Sequence, residues 1–290
     1  FILLFGLSFK TNSKHGKFQF TLNQYRTILT SSDNGTTWTS KTSGTTESLS
    51  GVTYGNSTFV TVGYLGTILT SSDGTTWTSR STVTSVPLHE VTYGNSTFVI
   101  VGYTYIFTSP DGTTWTSRTS GTSEILGQVT YGNSTFVISG YSGTILTSSD
   151  GITWDNRTSG TTVNLSGVTY GNSTYVIVGN SGTILTSSDN GTSWDNRTSG
   201  TTQYLTEVTY GNNIFVSVGS SGTILTSSDG TTWTSRTSGT TKYLSGVTYG
   251  NGLFVTVGNE GTILTSPDGT TWTSRTSGTS LSLSGVTSIE

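Results

Sequence analysis

The chain alternates short apolar runs with polar turns, and it does so with a fixed beat. Leu49-Ser50-Gly51-Val52-Thr53-Tyr54 is followed by a Gly55-Asn56 turn, a pair that tolerates the positive φ of a tight hairpin. Thr58-Phe59-Val60-Thr61-Val62-Gly63 is the next apolar run, and Thr67-Ile68-Leu69-Thr70-Ser71 the third. A fourth, Thr75-Thr76-Trp77-Thr78-Ser79-Arg80, ends the unit. Runs of this length, rich in Val, Ile, Thr and aromatics and bounded by Gly and Asn, predict strands, here named a to d. No segment carries a helical period.

The unit repeats. Tryptophans stand at Trp38, Trp77, Trp115, Trp154, Trp194, Trp233 and Trp272, spaced by 39, 38, 39, 40, 39 and 39 residues. Asn190 accounts for the long interval, and a one-residue shortening of Gly102-Tyr103-Thr104-Tyr105-Ile106 for the short one. Four strands per unit of about 40 residues predict an all-β propeller. Seven units predict a seven-bladed β-propeller with four antiparallel strands per blade. Six copies of strand a carry Val-Thr-Tyr-Gly-Asn, at Val52, Val91, Val129, Val168, Val208 and Val247. The seventh candidate is Ser284-Gly285-Val286-Thr287-Ser288-Ile289, which predicts a ring closed by the C-terminal strand completing the first blade. Strands b, c and d of that blade are then expected between Phe18 and Ser40. This divides the chain into an N-terminal extension or terminal strand, 1–17, and a single propeller, 18–290. A competing register takes Gly6-Leu7-Ser8-Phe9 as the first strand a.

Between strands c and d stands a recurrent turn. Ser31-Ser32-Asp33-Asn34-Gly35-Thr36-Thr37-Trp38 has the pattern Ser-x-Asp-x-Gly-x-Thr-Trp in full. The turn ending at Trp194 has the same length with Ser193 in place of Thr, and five others are one residue shorter. This motif resembles the Asp box of the BNR/sialidase-type propellers. The wider pattern around it is similar to propellers of the photosystem II assembly-factor type. The resemblance implies structural roles for Asp33, Asp73, Asp111, Asp150, Asp189, Asp229 and Asp268, whose carboxylates bond turn amides, and for the seven tryptophans, which pack into the sheet. It also raises the possibility of sialidase chemistry, and the residues argue against it. Arg80, Arg118, Arg157, Arg197, Arg236 and Arg275 share one repeat position at the end of the outer strand. They are expected to spread around the rim rather than converge on one carboxylate, and only Arg26 falls elsewhere.

Composition narrows the function classes. The chain has 290 residues, 9% charged, with a net charge of −3. No basic patch is available for phosphates, so nucleic-acid binding is not expected. No run of 18 apolar residues predicts a membrane-spanning helix. Cysteine is absent, and the two histidines, His15 and His89, make histidine-based metal or triad chemistry improbable. His89 reads as a surface loop residue. No cofactor and no metal are expected. Nine sequons, at Asn34, Asn56, Asn95, Asn133, Asn156, Asn164, Asn172, Asn190 and Asn196, follow equally well from an Asn-, Ser- and Thr-rich composition.

Antiparallel connectivity puts the a–b and c–d turns on one face and the d–a and b–c connections on the other. The first set barely varies between repeats; the second does. Binding residues usually sit on loops carried by a rigid scaffold. The varied face offers Tyr64, Tyr103, Tyr105, Tyr141, Tyr204 and Tyr243 as flat surfaces with a hydroxyl, and Glu47, Glu90, Glu124, Glu207 and Glu260 as acceptors. These point to a non-enzymatic, secreted or cell-surface propeller binding a glycan or a protein on that face. An alternative is a structural subunit of an extracellular filament or surface assembly, self-associating through the apolar Phe1-Ile2-Leu3-Leu4-Phe5. A glycoside hydrolase of sialidase type is the third reading.

Overall fold

The computed structural model describes residues 2–7 (backbone only), 27–81 and 84–288. Its strands form four-stranded antiparallel sheets arranged as a β-propeller. Six blades are each cut from one contiguous stretch. The first has Leu49–Gly55, Thr58–Gly63, Ile68–Ser71 and Thr78–Ser79. The other five begin at Glu90–Gly94, Leu126–Gly132, Leu165–Gly171, Leu205–Gly211 and Leu244–Gly250. Strand a lies innermost, because strands a of successive blades pack against one another around the axis.

The expectation of a seven-bladed propeller is corrected: the blades are six, each contiguous in sequence. The remaining sector is a composite four-stranded sheet drawn from both ends of the chain, ordered Ser282–Ser288, Ile2–Leu7, Thr27–Ser31, Thr39–Thr42. Its second strand is not in the region after Phe18. Ile2–Leu7 pairs with Thr27–Ser31 on one side and with Ser282–Ser288 on the other, with a register shift between Leu4 and Gly6. Gly6 and Leu7 belong to this second strand, against the register that begins an innermost strand at Gly6. Both backbone edges of Ile2–Leu7 are used within the ring, so this strand has no free edge. Phe18, Arg26 and His15 lie outside the described residues.

The core lies between blades. Val60, Val62 and Ile68 of the first contiguous blade pack on Leu88, Val91, Phe98 and Ile100 of the next, and comparable clusters recur around the ring. A fully buried leucine stands at or beside the start of every strand a, from Leu49 through Leu88, two residues before its strand, to Leu283. The hairpin following strand a turns on left-handed residues, Asn56 (φ 47°) and Ser57 (φ 58°) in the first blade. Side chains this short reach that region at lower cost than branched ones.

The Ser–Asp turns are hydrogen-bonded as their composition suggests. In the short form, Asp111 Oδ1 accepts from Thr113 N (2.8 Å) and Thr114 N (2.9 Å), while Ser109 Oγ accepts from Gly112 N (2.9 Å). In the long form the same bonds slip by one residue, with Ser193 N on Asp189 Oδ1 and Gly191 N on Ser187 Oγ. Hydrogen bonds hold all seven carboxyls below the usual range: for Asp33 and Asp189, at about 2, first the hydroxyls of Thr37 and Ser193 and then the turn amides, and for the other five first the turn amides. The turn takes up Thr75 to Trp77, so strand d is shorter than its sequence suggests. The rim arginines stay apart. Each donates Nε to a threonine of strand c in its own blade, as Arg118 does to Thr108 (2.8 Å) and Arg236 to Thr226 (2.8 Å).

Candidate functional site at the mouth of the central channel

The axial channel opens on the d–a/b–c face into a cavity of about 320 Å³. One position of strand a builds most of its chemistry. Gly51, Gly167, Gly246 and Gly285 occupy this position in four sheets, and Glu90, Gln128 and Glu207 in the other three. The glycines are required by close approach: a Cβ at Gly51 would stand 2.7 Å from Glu90 Cα, and one at Gly167 would stand 2.7 Å from Glu207 Cα. Space for side chains therefore exists only toward the channel, and the three long polar residues converge there.

Gln128 joins the two carboxylates. Its Nε2 donates to Glu90 Oε2 (3.4 Å) and to Glu207 Oε2, and its Oε1 accepts from Val168 N (3.3 Å). The other carboxylate oxygens accept from their neighbours' amides, Val91 N to Glu90 Oε1 (2.9 Å) and Val208 N to Glu207 Oε1 (3.0 Å). Confinement by the channel wall strips these groups of bulk water and raises Glu90 to about 7. The same desolvation raises Glu207 to about 8, with the charge of Glu90 adding to it. Above them, Ser166 Oγ donates to Tyr204 Oη (2.8 Å), and the rings of Tyr204 and Tyr243 meet at 6.2 Å. Burial also pushes both phenols upward.

A second feature surrounds the mouth on one side. Tyr64, Leu65, Tyr103, Tyr105 and Tyr141 are 41% to 56% exposed. Four belong to the b–c connections of three consecutive blades, and Tyr105 opens the strand that follows one of them. The corresponding turns of the next three blades carry Asn180-Ser181, Ser220-Ser221 and Asn259-Glu260. The aromatic arc is thus confined to half of the mouth. Its middle member differs in build. The five other b–c turns are three-residue 3₁₀ turns such as Tyr64–Gly66, whereas the shortened connection closes directly, with Tyr105 paired to Gly102. Tyr103 then sits at φ 50°, bridged to Leu126, with its ring 5.8 Å from that of His89.

The structure separates the sequence candidates into groups. Glu90, Tyr141, Tyr204 and Glu207 line the cavity, while Tyr64, Tyr103 and Tyr105 form the arc. Tyr243 abuts Tyr204. Glu47, Glu124 and Glu260 are not in the cavity. Glu47 accepts from Thr46 Oγ1, Glu124 from Ser142 Oγ (2.9 Å), and Glu260 pairs with Lys242 (2.6 Å) at the surface. His89 is corrected from a surface residue to a cavity-lining one, its Nδ1 held 2.8 Å from Leu126 O. Gln128 and Ser166 were not anticipated. Gln128 had a signal: it replaces glycine at a repeat position where the two central glutamates also replace glycine. Among the described residues, no group of three or more His, Cys, Asp or Glu side chains could hold a metal. Among the described residues, no helix is long and apolar enough to cross a membrane.

No protein-family model matches the chain, and no curated protein matches its sequence. Its fold has clear counterparts among solved structures. It is similar to YCF48 from Cyanidioschyzon merolae, with 15% identity over 80% of this chain and 86% of that one and a TM-score of 0.63. It is similar to YCF48 bound to D1 peptide, with 19% identity over 75% and 76% and a TM-score of 0.60. It is also similar to the computationally designed Ika8 protein, with 13% identity over 98% and 93% and a TM-score of 0.67. Together with the sheet order, these likenesses show that the chain is a β-propeller.

Proposed function

We propose that this chain is a non-enzymatic binding propeller that holds a polypeptide segment across the d–a/b–c face. The observation that carries this reading is the exposed arc of Tyr64, Leu65, Tyr103, Tyr105 and Tyr141, gathered on one face and on one side of a polar channel. Aromatic side chains combine large contact area with few rotatable bonds, so they bind at low entropic cost. Leu65 supports the reading from another direction. It is apolar, 56% exposed and at φ 51°, a costly choice at a position where three other blades carry serine and one glutamate. Strained, exposed apolar residues concentrate where function holds them. A similar fold in YCF48 bound to D1 peptide is consistent with a propeller of this build carrying a peptide.

The hydrogen-bonded Ser–Asp turns favour a place among the Asp-box propellers, and an extracellular setting belongs to the same reading. The experiment is selection of a displayed random-peptide library on the folded protein. Peptides enriched on the wild type are expected to be lost on a Tyr64→Ser/Leu65→Ser/Tyr103→Ser/Tyr141→Ser variant and kept on an Asn95→Ser/Asn172→Ser variant of the opposite face. Equal retention by both variants would refute the assigned face. Binding confined to a glycan array would replace the polypeptide by a carbohydrate.

A further inference from the structure

We propose that the channel beneath the aromatic arc takes a guanidinium side chain, an arginine of the bound segment, between Glu90 and Glu207. This rests on the reading of the face as a polypeptide-binding surface and names the residue that the segment delivers.

The geometry points there in three ways. First, the two outer carboxylate oxygens, Glu90 Oε2 and Glu207 Oε2, both accept from one nitrogen, the amide Nε2 of Gln128. A neutral NH2 group has two protons to offer there, whereas a guanidinium has five N–H donors in a rigid plane and a full charge. Second, the pair has no counter-charge. Neither glutamate takes part in any of the three ion pairs among the described residues, and no Lys or Arg lines the cavity. Two carboxylates held together without a cation are electrostatically unfavourable, and a cation arriving from outside relieves both at once. Third, the cavity has matching flanks. The ring of Tyr204 lines it and that of Tyr141 stands at its rim, suited to the flat face of a guanidinium. On the composite-sheet side, Ser284 Oγ is buried in the cavity wall without a hydrogen-bond partner. That is the single buried side-chain oxygen without a hydrogen-bond partner among the described residues. The cavity, about 320 Å³, admits one long side chain rather than a folded element.

A divalent cation fits less well. Gln128 places a donor, not an acceptor, between the carboxylates, and hard cations need more oxygen ligands than this pair supplies.

The test titrates acetyl-Gly-Arg-Gly-amide into the full chain and follows it by calorimetry and by shifts of the Gln128 side-chain amide signals. The citrulline and lysine counterparts are run in parallel. Citrulline keeps the shape of arginine and removes its charge; lysine keeps the charge and removes the planar fork. Saturable binding of the arginine peptide is expected, at least tenfold tighter than either counterpart, and lowered at least tenfold by Glu90→Gln and by Glu207→Gln. Glu260→Gln, outside the cavity, is expected to leave it unchanged. No saturation by the arginine peptide, equal binding of citrulline or lysine, or insensitivity to both channel variants would overturn the proposal. The two readings fail separately. If library peptides still require Tyr64, Leu65, Tyr103 and Tyr141 but tolerate Glu90→Gln and Glu207→Gln, the face stands and the arginine does not. If they ignore the face variant, the face itself is wrong.

Discussion

The ring of Tyr93 lies flat against the backbone of Gly55 in the preceding blade, so close that a Cβ on Gly55 would overlap Tyr93 Cγ. The same contact recurs as Tyr131 on Gly94, Tyr170 on Gly132, Tyr210 on Gly171 and Tyr249 on Gly211. This explains why Tyr and Gly travel together in every contiguous blade: the tyrosine of one blade needs the glycine of the blade before it. Gly132→Ala is therefore expected to lower unfolding free energy by about 1–3 kcal/mol through overpacking, read by chemical denaturation. An unchanged denaturation midpoint would show that the blades yield more easily than the contact implies.

At the seam the pattern breaks. Ser288 of the composite sheet meets Gly250 where the five junctions above have tyrosine. Ser288→Tyr should fill that slot and raise stability by about 1 kcal/mol, the usual worth of a well-placed aromatic contact, visible as a higher thermal midpoint. Removal of residues 282–288 should do the reverse and more. It takes away Leu283, fully buried in the core beside Val255 and Val257, and bares the edge of Ile2–Leu7. Loss of a single cooperative unfolding transition is the expected readout.

Two sets of carboxyls pull stability in opposite directions with pH. The turn aspartates have folded pKa values below their unfolded ones, so their contribution is present above about pH 4 and fades as pH falls toward about 2. Glu90 and Glu207 have folded values above their unfolded ones. Their folded state binds protons that the unfolded chain has released, so stability declines from about pH 4.5 up to about pH 7 to 8. Stability is expected to peak in the mildly acid range between these limbs. Glu90→Gln/Glu207→Gln should flatten the upper limb, leaving the double variant more stable than wild type at pH 8 by on the order of 1–2 kcal/mol. Parallel curves for the two proteins across pH 5 to 8 would contradict the channel electrostatics.

Leu65 separates stability from binding. Leu65→Asn relieves a left-handed leucine, at φ 51°, and removes exposed apolar area. A gain of about 0.5–1 kcal/mol in stability is expected, together with weaker binding of selected peptides. If stability rises and binding holds, Leu65 is not a contact.

Much of this architecture could be read from the sequence because each blade repeats the same physical solution. Trp spacing, the Ser–Asp turns and the Val-Thr-Tyr-Gly-Asn strands each mark one place in the sheet. The composite sheet was less legible. Ile2–Leu7 lacks the Thr-Phe-Val-Thr-Val-Gly pattern of the other second strands, and nothing local ties it to a partner more than 270 residues away. The site was half legible for a related reason. Exposed tyrosines announce themselves in variable turns. Gln128 and His89 instead belong to or border the innermost strand, where their importance comes from three blades pointing at one axis. That convergence depends on how the ring curves, which no single repeat encodes.

In the proposed function the d–a/b–c face, and not the face bearing the Ser–Asp turns, receives the partner. Hydrogen–deuterium exchange of the chain with and without a selected peptide tests it most directly. Protection is expected at Tyr64–Gly66, Tyr103 to Tyr105 and Tyr141–Gly143, with the a–b turns unchanged. Protection confined to the a–b turns and the Ser–Asp turns, with those three segments exchanging as in the free protein, would contradict it.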